Sequence, residues 1–164
     1  MKYSIVYSSK TGNTKMLAEK IKEILPKEDC ISFGDEKEYK DGPLLFIGFW
    51  TDKGTCNDSF VPFLKSLKNK KIFLFGTAGF GGGDPYYNKI LERVKENLDS
   101  SNEIIGSYMC QGKMPMGIRK RYEKILEEHP EDQKSKASIE NFDKAAIHPN
   151  EEDLDHLIEE VKKV

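Results

Sequence analysis

No apolar run in this 164-residue chain approaches the roughly 20 residues needed to cross a bilayer, so no membrane-spanning helix is expected. Met1-Lys2-Tyr3-Ser4 leads only to Ile5-Val6, too short a stretch for a signal peptide core, and the expectation is a cytoplasmic protein. Cysteine is scarce. Cys30, Cys56 and Cys110 are odd in number, far apart and without a C-x-x-C pair, which excludes a disulfide framework and points to thiols in a reducing compartment. Two of the three histidines stand next to prolines, and no metal site is expected. Charge of one sign is also missing. Lys and Arg number 26 against 28 Asp and Glu, a net −2, so no general attraction to nucleic acid or acidic membrane is implied. There is no internal repeat and no low-complexity linker, so residues 1–164 are read as one domain, expected to be a monomer.

What is present is an alternation of strand and helix signals. Tyr3–Tyr7 reads as a first strand and Thr14–Leu25 as a helix with Ala18, Ile21 and Leu25 on one face, stopped by Pro26. Cys30–Phe33 is a weak second strand. Leu44–Phe49 and Lys71–Phe75 are apolar runs suited to strands covered on both faces. Asn57, Asp58 or Ser59 caps a helix running to Leu67. Asp84-Pro85 opens another helix, with Ile90, Leu91, Val94 and Leu98 inward. Glu103–Cys110 completes a set of five strands. Beyond it, Met116–Glu128 reads as a helix, 129–149 as polar and irregular with Phe142 and Ile147 as anchors, and Asn150 as the cap of a last helix. Five buried strands with intervening helices favour a doubly wound α/β sheet, whose ligands sit beyond the carboxyl ends of the strands.

Three loops fall at those ends. The first is Ser8-Ser9-Lys10-Thr11-Gly12-Asn13-Thr14, hydroxyls around one glycine between a strand and a helix. A helix start offers unpaired N–H groups and the positive end of the macrodipole, and Gly12 lets the backbone approach an anion closely. Lys10 is its only cation, so a phosphate would be held mainly by neutral donors. The stretch fits neither the Walker pattern nor G-x-G-x-x-G, and taken alone it also reads as an ordinary hydroxyl-rich helix cap. The second loop, Gly48 to Thr55, carries the only tryptophan, Trp50, followed by Thr51, Asp52, Lys53 and Gly54; a planar indole there suits a flat ring or packs beneath its own loop. The third, Gly76 to Tyr87, has four glycines between Gly79 and Asp84, with Phe80 and Tyr86 as a second aromatic wall or else a flexible surface loop.

Ser9-Lys10-Thr11-Gly12-Asn13-Thr14 resembles the phosphate loop of flavodoxins, and all three loops stand where that family places its own. The resemblance runs from Met1 to about Cys110 and resumes in the last helix. It implies a flavodoxin-like five-stranded parallel sheet of order 2-1-3-4-5, non-covalent FMN, and a phosphate held by residues 8–14. It also implies a flavin ring between Trp50 and either Phe80 or Tyr86, with backbone of Thr51–Gly54 and of Thr77, Ala78 and Gly79 on the ring's polar edge. Gly54 is a loose match to the family glycine whose peptide bonds the flavin N5 position. Many flavodoxins are strongly acidic, whereas this chain is nearly neutral and places Lys53 in a flavin loop. A cation favouring the reduced anion by about 1.4 kcal/mol raises a one-electron potential by roughly 60 mV.

The departure is an insert at about residues 111–149, beginning with Gln111-Gly112-Lys113-Met114-Pro115 at the ligand end of the sheet. It either recognises a partner or covers the sheet edge. The chain is also similar to short flavodoxins found with flavin-dependent bilirubin reductases. The resemblance implies an electron carrier between a reductase donor and a reductase or oxidase acceptor, such a bilirubin reductase among them, with no catalytic residue of its own. Two other readings stay open. One is an FMN-dependent NAD(P)H oxidoreductase acting on a quinone or similar acceptor, favoured by Lys113, Arg119, Lys120 and Arg121; the other is a flavin-free phosphate-binding or interaction module.

Overall fold

The computed structural model describes residues 1–164. Five strands, β1 (Tyr3–Tyr7), β2 (Cys30–Gly34), β3 (Leu44–Asp52), β5 (Lys71–Ala78) and β6 (Glu103–Gln111), form a parallel sheet in the order β2-β1-β3-β5-β6. Taken as the five main strands in chain order, this is the expected 2-1-3-4-5. A two-residue strand, β4 (Thr55–Cys56), folds back antiparallel on the end of β3. Side chains alternate across the sheet because successive strand residues point to opposite faces. Leu45, Ile47 and Phe49 of β3 enter one core with Ile72 and Leu74 of β5. That core is closed by Leu64 of α2 (Val61–Ser66) and by Ile90, Leu91 and Val94 of α3 (Asp84–Lys95). Phe46, Phe73 and Phe75 enter the other core, closed by Leu17, Ala18 and Ile21 of α1 (Asn13–Ile24) and by Leu157 and Val161 of α6 (Glu151–Val161). Asn150 caps α6 in a reciprocal box with Asp153, as its sequence announces.

Four sequence expectations are corrected. β3 continues to Asp52 and β5 to Ala78, because aromatic and β-branched residues at Phe49, Trp50, Thr51 and Thr77 extend the pairing, with Phe49 opposite Gly76 and Trp50 opposite Thr77. Trp50, Thr51, Asp52, Thr77 and Ala78 are therefore strand residues, not loop residues. The supposed loop shrinks to a two-residue turn, with Lys53 at φ 53° and Gly54 at φ 83°, the backbone a tight hairpin requires. The second helix is shorter than expected, a 3-10 turn at Asp58–Phe60 followed by α2. Finally, the irregular stretch contains a helix, α5 (Gln133–Ala145), packed against α4 (Met116–Glu128). Phe142 and Ala145 bury its inner face while Ile147, expected as an anchor, is exposed. Arg119 of α4 grips Asp143 of α5 through Nε to Oδ1 at 2.9 Å and Nη2 to Oδ2 at 3.1 Å, and this pairing holds the Asp143 carboxyl below the usual range. No helix is long and apolar enough to cross a membrane.

Candidate functional site

A cleft of about 380 Å³ opens at the carboxyl ends of β1, β3 and β5, within the size range of small-molecule sites. One side is the turn between β1 and α1. Ser8 N–H still donates to Gly48 O at 3.0 Å, prolonging the sheet ladder. Ser9 Oγ then accepts from the N–H groups of Gly12 (3.2 Å) and Lys15 (3.3 Å), and Gly12 enters the helix at φ 91°. The N–H groups of Ser9, Lys10 and Thr11 have no partner in the chain. They face the same helix start that leaves its own first N–H groups unpaired. Lys10, Thr11 and Asn13 line the cleft, and Ser8, Ser9, Gly12 and Thr14 do not.

Thr14 is placed differently from its sequence role as a hydroxyl donor to the ligand. It is fully buried, donates to Phe49 O at 3.0 Å, and accepts from the Thr77 hydroxyl at 3.0 Å, so it pins the first turn of α1 to β3 and β5. What it offers a ligand is only its backbone N–H. Thr14→Val removes both bonds and leaves the buried Thr77 hydroxyl without this partner, which costs about 1–3 kcal/mol. Thermal unfolding should show a Tm lower by about 2–12 °C. An unchanged Tm would mean the pair carries no stability.

The second side is the β3–β4 hairpin, with Trp50, Thr51, Asp52, Lys53 and Gly54 in the wall. Lys10 Nζ lies 5.2 Å from the centre of the Trp50 ring, a cation–π contact between two sides of the cleft. Arg93 of α3 donates to Gly54 O at 3.1 Å and fixes the turn from outside. Thr51 Oγ1 is buried with no hydrogen-bond partner, a polar atom whose cost in a closed protein calls for an explanation.

The third side joins Thr77, Ala78, Gly79, Phe80 and Tyr86 to residues from the insert. Burial pushes the Tyr86 phenol up, so it stays neutral at pH 7. Gly79 O accepts from both Gln111 Nε2 and Asn141 Nδ2, each at 3.0 Å, which fills its two lone pairs and removes it from the carbonyls expected to meet a ligand. A side chain at Gly79 would collide with Met114 Sδ, 2.6 Å away.

Gly112, Lys113, Met114, Pro115 and Ile118 complete the wall. The sequence placed the segment up to Pro115 beside the site, but Ile118 was legible only as part of a helix face. Asn13 Nδ2 donates to Lys113 O at 2.8 Å and Lys113 N–H to His148 O at 3.0 Å, which ties the insert to the first turn. Asn13 Oδ1 stays buried and unpartnered. Cys110, just behind this wall, is buried, and burial pushes its thiol up, away from a nucleophilic thiolate.

A doubly wound α/β sheet with a hydroxyl-rich strand-to-helix turn and an aromatic-walled cleft at its switch point defines a binding protein for a planar, anion-bearing ligand. The chain belongs to the flavodoxin family: residues 4–162 match the family described as a flavodoxin domain. It is 38% identical to the flavodoxin-like domain-containing protein BilS of Clostridium symbiosum, over 94% of this chain and 90% of that one. A protein of the same description from Clostridioides difficile is 33% identical over the same shares. Its fold is similar to that of oxidised flavodoxin 1 from Bacillus cereus, with a TM-score of 0.62 and 15% identity over 99% of this chain and 96% of that one.

Proposed function

We propose that this protein binds FMN non-covalently in the cleft and carries electrons between redox proteins. The observation that carries this reading is the meeting, in one cleft, of a turn with unpartnered N–H groups and an aromatic wall at Trp50. The backbone N–H groups of Ser9, Lys10 and Thr11, the first turn of α1 and the Thr11 hydroxyl suit a phosphate. Trp50 and, across the cleft, Tyr86 or Phe80 suit the two faces of a flat ring. When bound, the flavin supplies the electron chemistry; the chain binds it, orients it and shields its faces.

An electron needs only an exposed edge, whereas hydride transfer needs a nicotinamide stacked on the flavin. Trp50 on one face and Tyr86 or Phe80 on the other would leave no room for such a stack. The basic group once available for a nucleotide phosphate is also reduced, since Arg119 is committed to Asp143 and Glu123. The resemblance to short flavodoxins found with flavin-dependent bilirubin reductases makes such a reductase the candidate acceptor and a second reductase the donor.

Anaerobic stopped-flow mixing of the FMN-loaded protein with NADPH tests the carrier reading. The flavin absorbance is expected to persist for minutes with NADPH alone. Rapid bleaching would overturn the carrier in favour of an NAD(P)H oxidoreductase.

A further inference from the structure

The cleft has a charge opposite to that of the chain. Its walls hold Lys10, Lys53 and Lys113 against a single acid, Asp52, while the whole chain carries −2. These three lysines are exposed and none takes part in an ion pair. They come from three different places, the β1–α1 turn, the β3–β4 turn and the segment after β6. Lys10 belongs to the turn assigned to the phosphate, whereas Lys53 and Lys113 stand on other elements of the cleft wall and add positive charge beyond it. Lys120 of α4, two residues beyond Ile118 of the cleft wall, is exposed and likewise unpaired.

One of the exposed apolar side chains lies at the same opening, and two more belong to segments that join its wall. Apart from the terminal residues Met1 and Val164, the large hydrophobic residues left exposed are Phe80 (51%), Met116 (56%) and Ile147 (69%). Phe80 lines the cleft and Met116 follows Pro115 in its wall. Ile147 precedes His148, whose carbonyl holds Lys113. Apolar contacts inside a charged rim are the anatomy of a protein interface, and the rim sets the sign of the partner.

We infer that the mouth of the cleft is a docking surface for a protein whose redox centre is rimmed by carboxylates, an inference that rests on the carrier reading. Two measurements test it. The single tryptophan, Trp50, reports the local charge without any flavin. In the apoprotein at low salt, the ratio of iodide to caesium quenching should exceed that of free N-acetyltryptophanamide about threefold or more, and the excess should vanish as salt screens the lysines. A ratio equal to or below that of the free amide overturns the inference.

In the second measurement the reduced FMN-loaded protein is mixed with two ferric haem probes, the acidic soluble domain of cytochrome b5 and basic cytochrome c. One electron leaves the flavin for each haem, taking ferric iron to ferrous. The rate to cytochrome b5 should fall about fivefold or more as NaCl rises from roughly 0.02 to 0.2 M, and the double change Lys113→Glu, Lys120→Glu should abolish that dependence. A rate to cytochrome c that falls with salt instead, with cytochrome b5 unaffected, overturns the inference. A protein that binds no FMN would sink the carrier reading while the quenching result still stood, so the two failures are distinguishable.

Discussion

Riboflavin is expected to bind this protein at least a hundredfold more weakly than FMN. The two flavins share the ring, so the walls formed by Trp50, Tyr86 and Phe80 contribute equally to both. They differ at the phosphate, which would meet the N–H groups of Ser9, Lys10 and Thr11, unpartnered within the chain, and the start of α1. Hydrogen bonds to a charged group contribute about 1.5–3 kcal/mol each, and two of them make a difference of roughly 10²–10⁴ in affinity. FAD should also bind more weakly, since its second phosphate and adenosine must leave through a turn closed by Ser9 and by the bond from Asn13 to Lys113. Equilibrium titration of the apoprotein with the three flavins, followed by flavin fluorescence, measures this. The preference should shrink below about pH 6, where the phosphate monoester dianion takes up a proton and becomes a monoanion. Equal affinities for FMN and riboflavin would remove the phosphate assignment.

Phe46→Ala should be the most costly single change in the sheet. Phe46 sits in β3 with 1% exposure and stands edge-on to Tyr3 (ring centres 5.8 Å apart) and tilted to Phe73 (5.6 Å). It belongs to the core that seats α1 and α6. Deleting a buried phenyl costs about 3–5 kcal/mol through lost transfer energy and the cavity left behind. For a chain of this length that is a fall in Tm of roughly 6–20 °C. The side chain points away from the cleft, so the ratio of FMN to riboflavin affinity should not change in the protein that remains folded. A drop of less than 1 kcal/mol in a denaturant titration would show that the core closes over the gap. A changed affinity ratio would show that this core sets the shape of the turn.

The strands, the covering helices and both cores were legible in the sequence because they rest on short-range pattern, while the strand order came from the resemblance to flavodoxins. The apolar runs Leu44–Phe49 and Lys71–Phe75 name strands covered on two faces, and the apolar stripes of α1, α3 and α6 name the helices that cover them. The ligand end of the sheet followed, since in a parallel sheet the loops after the first, third and fourth main strands emerge on one side. Trp50, Lys53, Gly54, Gly79 and Tyr86 were found in this way, and the structure brings them into one cleft.

Tertiary structure alone decided three things. It turned Thr14 inward, because which way a helix residue points depends on where the helix axis lies, and α1 lies so that Thr14 meets Phe49 and Thr77. It folded 133–145 into a helix whose pattern is weak because only Ser135, Phe142 and Ala145 are buried, too few to mark a face in a charged sequence. It also set how the insert is tied into the site that its first residues were expected to border. Asn141 and Gln111 share Gly79 O across sequence separations of 62 and 32 residues, and Asn13 reaches Lys113 across 100. Local propensity carries no information about contacts at that range; they exist only once the sheet has placed both ends of the chain at the same cleft.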